Sequence, residues 1–166
     1  SRSSAYRYLV YLSENHDRQR ALDVVRASSS LPFVSKIVEV DGIPMLDGGI
    51  ADSIPVQHAI DMGWQHNVVV LTRNKGWRDM GKDHKIPYLY KNYPRLRVAL
   101  SHRHRAYNEQ IQLVDDLEAA GKITCIRPIR PLEVGRIEKN TDKLERLYEE
   151  GFMLGEAFCE KCVEKE

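Results

Sequence analysis

The 166 residues contain no Gly-x-Ser-x-Gly, no run of three glycines, no Gly-x-Gly-x-x-Gly and no P-loop. Without the last two, the chain has no glycine-rich cradle for the phosphates of a bound nucleotide, so a nucleotide-binding α/β domain is disfavoured. There is no long apolar run either. The most hydrophobic stretch, Val68 to Leu71, is strand-sized and far too short to cross a bilayer. The first residues, SRSSAYRY, lack the apolar segment of a secretory signal. Three cysteines, Cys125, Cys159 and Cys162, are an odd number and too few for a disulfide framework. They point to reduced thiols and a cytoplasmic protein. Charge of one sign is also missing. With a net charge of +1, no global field draws the chain to nucleic acid or anionic lipid, so electrostatic recognition has to be local.

What is present fits one domain over 1–166 with a real core, since 42% of the residues are hydrophobic and 30% charged. Tyr6 to Leu12 is rich in aromatic and β-branched residues and predicts a strand. Asp17 is placed to cap a helix running to about Ala27, stopped by Ser-Ser-Ser-Leu-Pro. Ile37 to Val40 and Ile43 to Leu46 flank Asp41-Gly42, a dipeptide suited to a type I′ hairpin turn. Ser53 and Pro55 mark a helix start, and Gly63 its left-handed end. Asn67 to Thr72, NVVVLT, then predicts a strand covered on both faces. Ile43 to Leu71 therefore predicts a strand–helix–strand crossover with parallel strands. Asp47 would sit at the carboxyl end of the first strand and Thr72, Arg73 and Asn74 at the end of the second, where parallel sheets collect function.

Beyond a polar loop, residues 87–100 predict a helix interrupted at Pro94, and 101–120 a longer one ending at Gly121. Ile123 to Arg127 predicts a third strand. A last helix from Thr141 should bury Leu144, Leu147, Tyr148, Gly151, Leu154, Phe158 and Cys162, with Gly151 and Gly155 allowing close packing.

Asp47-Gly48-Gly49 is the one motif that carries chemistry. A strand end holds the carboxylate rigidly. Two glycines let the chain turn sharply, take positive φ and approach a neighbouring loop without a Cβ clash. A base that takes a serine proton needs that approach, to within about 2.6–3.2 Å. The bland reading is a turn, for which Asp-Gly is a common dipeptide.

The stretch RASSSLPFVSKIVEVDGIPMLDGGIADSIPVQHAIDMG, Arg26 to Gly63, resembles the patatin-like phospholipase family in order and spacing. RHRAYN and IRPIRPLEVGRIEKNTDKLERLYEEG are similar to the later part of a bacterial branch of that family. The resemblance implies an α/β fold with a mostly parallel sheet flanked by helices. It also implies a serine lipid acyl hydrolase with a Ser–Asp dyad, in which Asp47 is the base and Gly48 and Gly49 form its supporting loop. No cofactor and no metal are implied. The implied substrate is a lipid or ester met at a membrane surface.

Ser28, Ser29 and Ser30 cannot supply the nucleophile, because they lie near a helix end without the glycines of a nucleophile elbow. The chain is therefore expected to be a C-terminal portion, nearly inactive alone. It should carry an open sheet edge and exposed apolar surface, covered by a second copy or by the N-terminal half. A non-catalytic lipid-binding or scaffolding remnant is the alternative.

Asp52 reads as a helix cap, with loop orientation as the second option. The basic stretch RLRVALSHRHRAYN reads as a solvated helix face rather than a lipid-phosphate patch, with His104 and Asn108 sharing a hydrogen-bond network. Its aromatics are not interleaved as a nucleic-acid stacking platform requires. Cys159-Glu-Lys-Cys162 lacks the further ligands of a zinc site.

Overall fold

The computed structural model describes residues 18–81, 88–135 and 138–163. The strand expected at Tyr6 to Leu12 and the Asp17 cap lie outside them, and so does the side chain of Cys162. The chain divides into two compact units, Ser1–His58 with Asp79–Gln112, and Ala59–Arg78 with Leu113–Glu166.

In the first unit, helix α1 (Arg18–Ser28) packs on a hairpin of β1 (Val38–Val40) and β2 (Ile43–Met45). The hairpin turns where its sequence predicts. Val40 pairs with Ile43, and Asp41 and Gly42 hold φ of 54° and 73°, the two positive values a type I′ turn requires. Arg20 of α1 forms an ion pair with Asp41 at the turn. Val24, Ala27 and Val40 are buried together, with Val38 and Met45 against them. A second cluster joins Leu46, Ile50 and Tyr90 to Ile37, Leu96, Ala99 and Leu100. It links the segment after β2 to the 3₁₀ turn Tyr88–Tyr90 and to α3 (Pro94–Ser101). Pro94 opens α3 rather than interrupting it, because a first-turn residue has no N–H bond to lose. The short α2 (Val56–Asp61) follows Pro55, and α4 (Arg103–Ala119) follows α3.

In the second unit, β3 (Asn67–Val70) and β4 (Ile123–Ile126) run parallel, Asn67 opposite Ile123 and Val70 opposite Ile126. Gly63 and Gly121 take the left-handed φ of 91° and 67° expected after the helices they end. α5 (Thr141–Val163) packs on β4.

The α/β character and a parallel pair are present. Three detailed expectations need correction. First, no single mostly parallel sheet forms among the described residues: β1–β2 and β3–β4 are separate two-stranded sheets. The expected crossover from β2 to β3 within one sheet is absent there. β2 instead pairs across a two-residue turn, which closes a far shorter loop at lower entropic cost. Second, β3 is not covered on both faces. Val68 and Val70 are exposed while Asn67 and Val69 are half-buried, the alternation of a one-sided strand. This is the exposed apolar surface the sequence leads one to expect. Third, α5 buries much less than its pattern suggests. Leu147, Leu154 and Phe158 are half-buried, whereas Leu144, Tyr148 and Gly151 are exposed. With β4 as its main neighbour, only a stripe at a spacing of seven and four is covered. Gly151 and Gly155 touch nothing that a Cβ would meet. Tyr148 stacks instead on Phe152, ring centroids 6.3 Å apart.

Candidate active site

Asp47 lies two residues beyond β2, half-buried, at the start of the 3₁₀ turn Gly48–Ile50. Three interactions fix it. Its backbone N–H donates to the Ser30 carbonyl at 2.9 Å, which ties the end of β2 to the loop after α1. Its Oδ1 accepts the Gly49 N–H at 2.7 Å, so the carboxylate caps its own turn. Its carbonyl accepts from Ile50 N–H at 3.3 Å. Oδ2 makes no hydrogen bond among the described residues.

Neither Gly48 nor Gly49 has positive φ, contrary to the sequence expectation, because both enter a right-handed 3₁₀ turn. The need for glycine at 49 is steric. A Cβ there would stand 3.1 Å from Asp47 Oδ1, closer than nearly all real contacts. The two glycines also present carbonyls that hold the loop. Gly48 O accepts from Ala51 and Asp52 N–H, and Gly49 O accepts from Ser53 Oγ at 2.7 Å and Arg103 Nε at 3.2 Å.

Asp47 borders a cavity of about 380 Å³ contained within the first unit. Ile37, Met45, Leu46, Ile50, Leu96 and Ala99 make its wall apolar, and the exposed Arg95 adds a cation. This is an ordinary small-molecule site in size and composition, an apolar concavity with few polar groups.

Gln110 is the residue that sequence reasoning missed. Its Oε1 accepts from the N–H groups of Ser53 and Ile54, at 3.0 and 3.1 Å, and its Nε2 donates to Asp52 Oδ1 at 2.9 Å. One amide from α4 thus clamps the loop that follows the Asp-Gly-Gly turn. A polar helix residue more than fifty positions away leaves no signal in the sequence. Asp52 joins this clamp, which orients the loop, and its carboxylate also meets the Ile54 N–H as a first-turn cap does. Burial pushes its carboxyl above the ordinary range, against the opposing pull of His58 and the Ile54 N–H.

Asn108 is engaged as well. It spends its side chain on the backbone of Asp79, accepting from its N–H at 2.7 Å and donating to its carbonyl at 2.9 Å. Two of the serines before Asp47 are engaged locally. Ser29 and Ser30 hydroxyls donate back into α1, to the carbonyls of Val25 and Arg26. Thr72, Arg73 and Asn74, expected to share a sheet with Asp47, follow β3 in the second unit. Arg73 lies over the Trp77 ring there, 4.8 Å from its centroid. Burial raises the thiol of Cys125, which keeps it protonated and a poor nucleophile. Cys159 is exposed and unpaired.

Residues 2–60 match the family profile of patatin-like phospholipases, which bears out the family read from Arg26 to Gly63. The match spans the Asp-Gly-Gly turn and ends at the start of the second unit. Residues 93–164 match a different profile, a domain of unknown function (DUF6363). The chain is 29% identical over 151 residues to the uncharacterized protein YjjU of Escherichia coli strain K12, covering 85% of this chain and 41% of that protein. It thus spans under half the length of this relative. No solved structure matches.

Proposed function

We propose that this chain supplies the general base of a lipid acyl hydrolase, and that Asp47 is that base. The patatin-like match over 2–60 is the coarse support for this reading. The observation that carries the finer reading is the setting of Asp47. Its backbone is pinned at both ends, one carboxylate oxygen is engaged and the other is not, and an apolar cavity opens beside it.

The chemistry requires a hydroxyl within hydrogen-bond reach of Oδ2. Asp47 accepts the serine proton as the oxygen attacks an ester carbonyl, and returns a proton to the leaving alcohol. Water then repeats the sequence on the acyl-enzyme. The cavity takes the acyl chain, whose burial favours binding by about 0.8 kcal/mol per methylene. The Gly49–Oδ1 bond keeps the carboxylate from rotating away. The nucleophile and the oxyanion donors lie outside these 166 residues, since the sequence holds no Gly-x-Ser-x-Gly and no glycine-rich loop.

The test is turnover of a short-chain p-nitrophenyl ester by the full-length protein. Asp47→Asn retains an oxygen for the Gly49 N–H but cannot act as a base, so kcat falls by about two to four orders of magnitude. Asp52→Asn keeps the Gln110 clamp and leaves kcat within about threefold. Equal activity of Asp47→Asn and the parent would place the base elsewhere and favour a non-catalytic lipid-binding role for this fold.

A further inference from the structure

The loop after α1 has an unusual surface. Leu31, Phe33 and Val34 are all exposed, Val34 at 83%, on a five-residue turn closed by the Ser35 N–H on the Leu31 carbonyl at 2.9 Å. Phe33 sits at φ 67°, a left-handed conformation that an aromatic residue rarely adopts. The turn is held in this shape rather than left to relax. Phe33 N–H donates to Tyr90 Oη at 2.9 Å, and the two rings pack 5.3 Å apart. Tyr90 is buried in the core cluster with Leu46 and Ile50, while its neighbour Tyr88 is exposed under the Lys91 ammonium. The strained turn therefore presents apolar side chains to water from a rigid base, the reverse of what stability alone favours.

Charge decides what covers it. No carboxylate occurs between Asp23 and Glu39, or between Asp83 and Glu109. The first segment carries Arg26 and Lys36, the second Lys91, Arg95 and Arg97. Lys36 and Arg95 have no carboxylate partner among the described residues. In a chain with net charge +1, the segment that carries the turn and the segment that carries its Tyr90 anchor are thus locally cationic. Apolar tips on segments that carry lysine and arginine without intervening carboxylates suit a surface that is negative outside and hydrocarbon within.

We propose that the Leu31–Val34 turn is a membrane-docking element that inserts Phe33 and Val34 into an anionic phospholipid bilayer. Lys36, Lys91 and Arg95 contact the headgroups. Ser30 at the base of the turn bonds directly to Asp47 N–H, so docking sets the apolar cavity beside the lipid source. The docking role does not depend on Asp47 being a base.

Flotation of the full chain with vesicles tests it. Binding to equal parts phosphatidylglycerol and phosphatidylcholine exceeds binding to phosphatidylcholine alone and weakens with salt. Val34→Glu lowers the partition coefficient about tenfold or more, Lys36→Gln about fivefold, and Val34→Leu preserves it. Turnover of a water-soluble ester is unchanged in Val34→Glu, which separates docking from catalysis. Absence of vesicle binding by the parent chain, or undiminished binding by Val34→Glu, overturns the proposal. So does a dimer that Val34→Glu dissociates while vesicles bind neither form, which would assign the turn to a second copy.

Discussion

At the scale of single residues, the Asp-Gly-Gly turn distinguishes two uses of one carboxylate. Asp47 Oδ1 is a capping oxygen, as in any Asp-Gly turn, while Oδ2 faces no partner among the described residues. The bland reading is thus occupied by one oxygen, and the proposed chemistry calls only on the other. Gly49 is where they meet. Gly49→Ala brings a methyl to 3.1 Å from Oδ1, so the carboxylate must shift by a few tenths of an ångström. We expect kcat to fall about tenfold with KM little changed, because a misplaced base costs rate before it costs binding. Ester turnover of the purified variant checks this, and an unchanged kcat would reduce Gly49 to a turn residue. The sequence made Asp47 and its glycines visible through order and spacing. It misjudged why the glycines are there, since positive φ was expected and close approach is what the turn uses. Gln110 and Arg103 could not be read at all. Their partners are backbone groups and one carboxylate far along the chain, and a polar helix residue looks the same whether it meets water or a loop.

At the scale of elements, local chemistry was legible and pairing was not. The turn at Asp41-Gly42, the left-handed ends at Gly63 and Gly121, and the start of α5 at Thr141 all fall where residue types demand. These features are decided within a few residues. Which strand pairs with which is decided by distant segments, and here β2 keeps to its hairpin. The same limit applies to α5, whose apolar pattern exceeds the area its neighbours cover. The end of β4 holds a feature that no periodicity announces. Arg127, its side chain 9% exposed, donates to Asp115 at 2.8 Å and Glu118 at 2.7 Å, and Arg78 adds a second bond to Asp115 at 3.1 Å. Burial would raise the Asp115 carboxyl, but the bonds from Arg127 and Arg78 outweigh it and hold it below the usual range. A depressed carboxyl contributes stability that is complete above its unfolded value, about 3.9, and is lost as pH falls through the folded value. Arg127→Met leaves both carboxylates short of a partner and should cost about 1–3 kcal/mol at pH 7, shrinking toward zero well below pH 4. Urea unfolding at both pH values reads this directly. A loss that is the same at both would mean packing, not charge, holds β4.

At the scale of the whole chain, two separate stretches match different family profiles. The patatin-like match covers 2–60 and includes every residue assigned a chemical role, while 93–164 match a domain whose function is not known. The apolar docking turn, the two cationic segments and the cavity all belong to the first unit. Near-neutral total charge conceals this local arrangement, which is why composition alone argues against a lipid surface and position argues for one. Among the described residues no helix is long and apolar enough to cross a membrane.

The central claim is that Asp47 activates a serine that this chain does not contain. Fluorophosphonate labelling of the full-length protein, read by peptide mass spectrometry, tests it most directly. We predict one modified serine, located outside these 166 residues, and a labelling rate that falls about a hundredfold or more in Asp47→Asn with the circular dichroism spectrum unchanged. Modification of a serine within the chain, or an undiminished rate in Asp47→Asn, would contradict it.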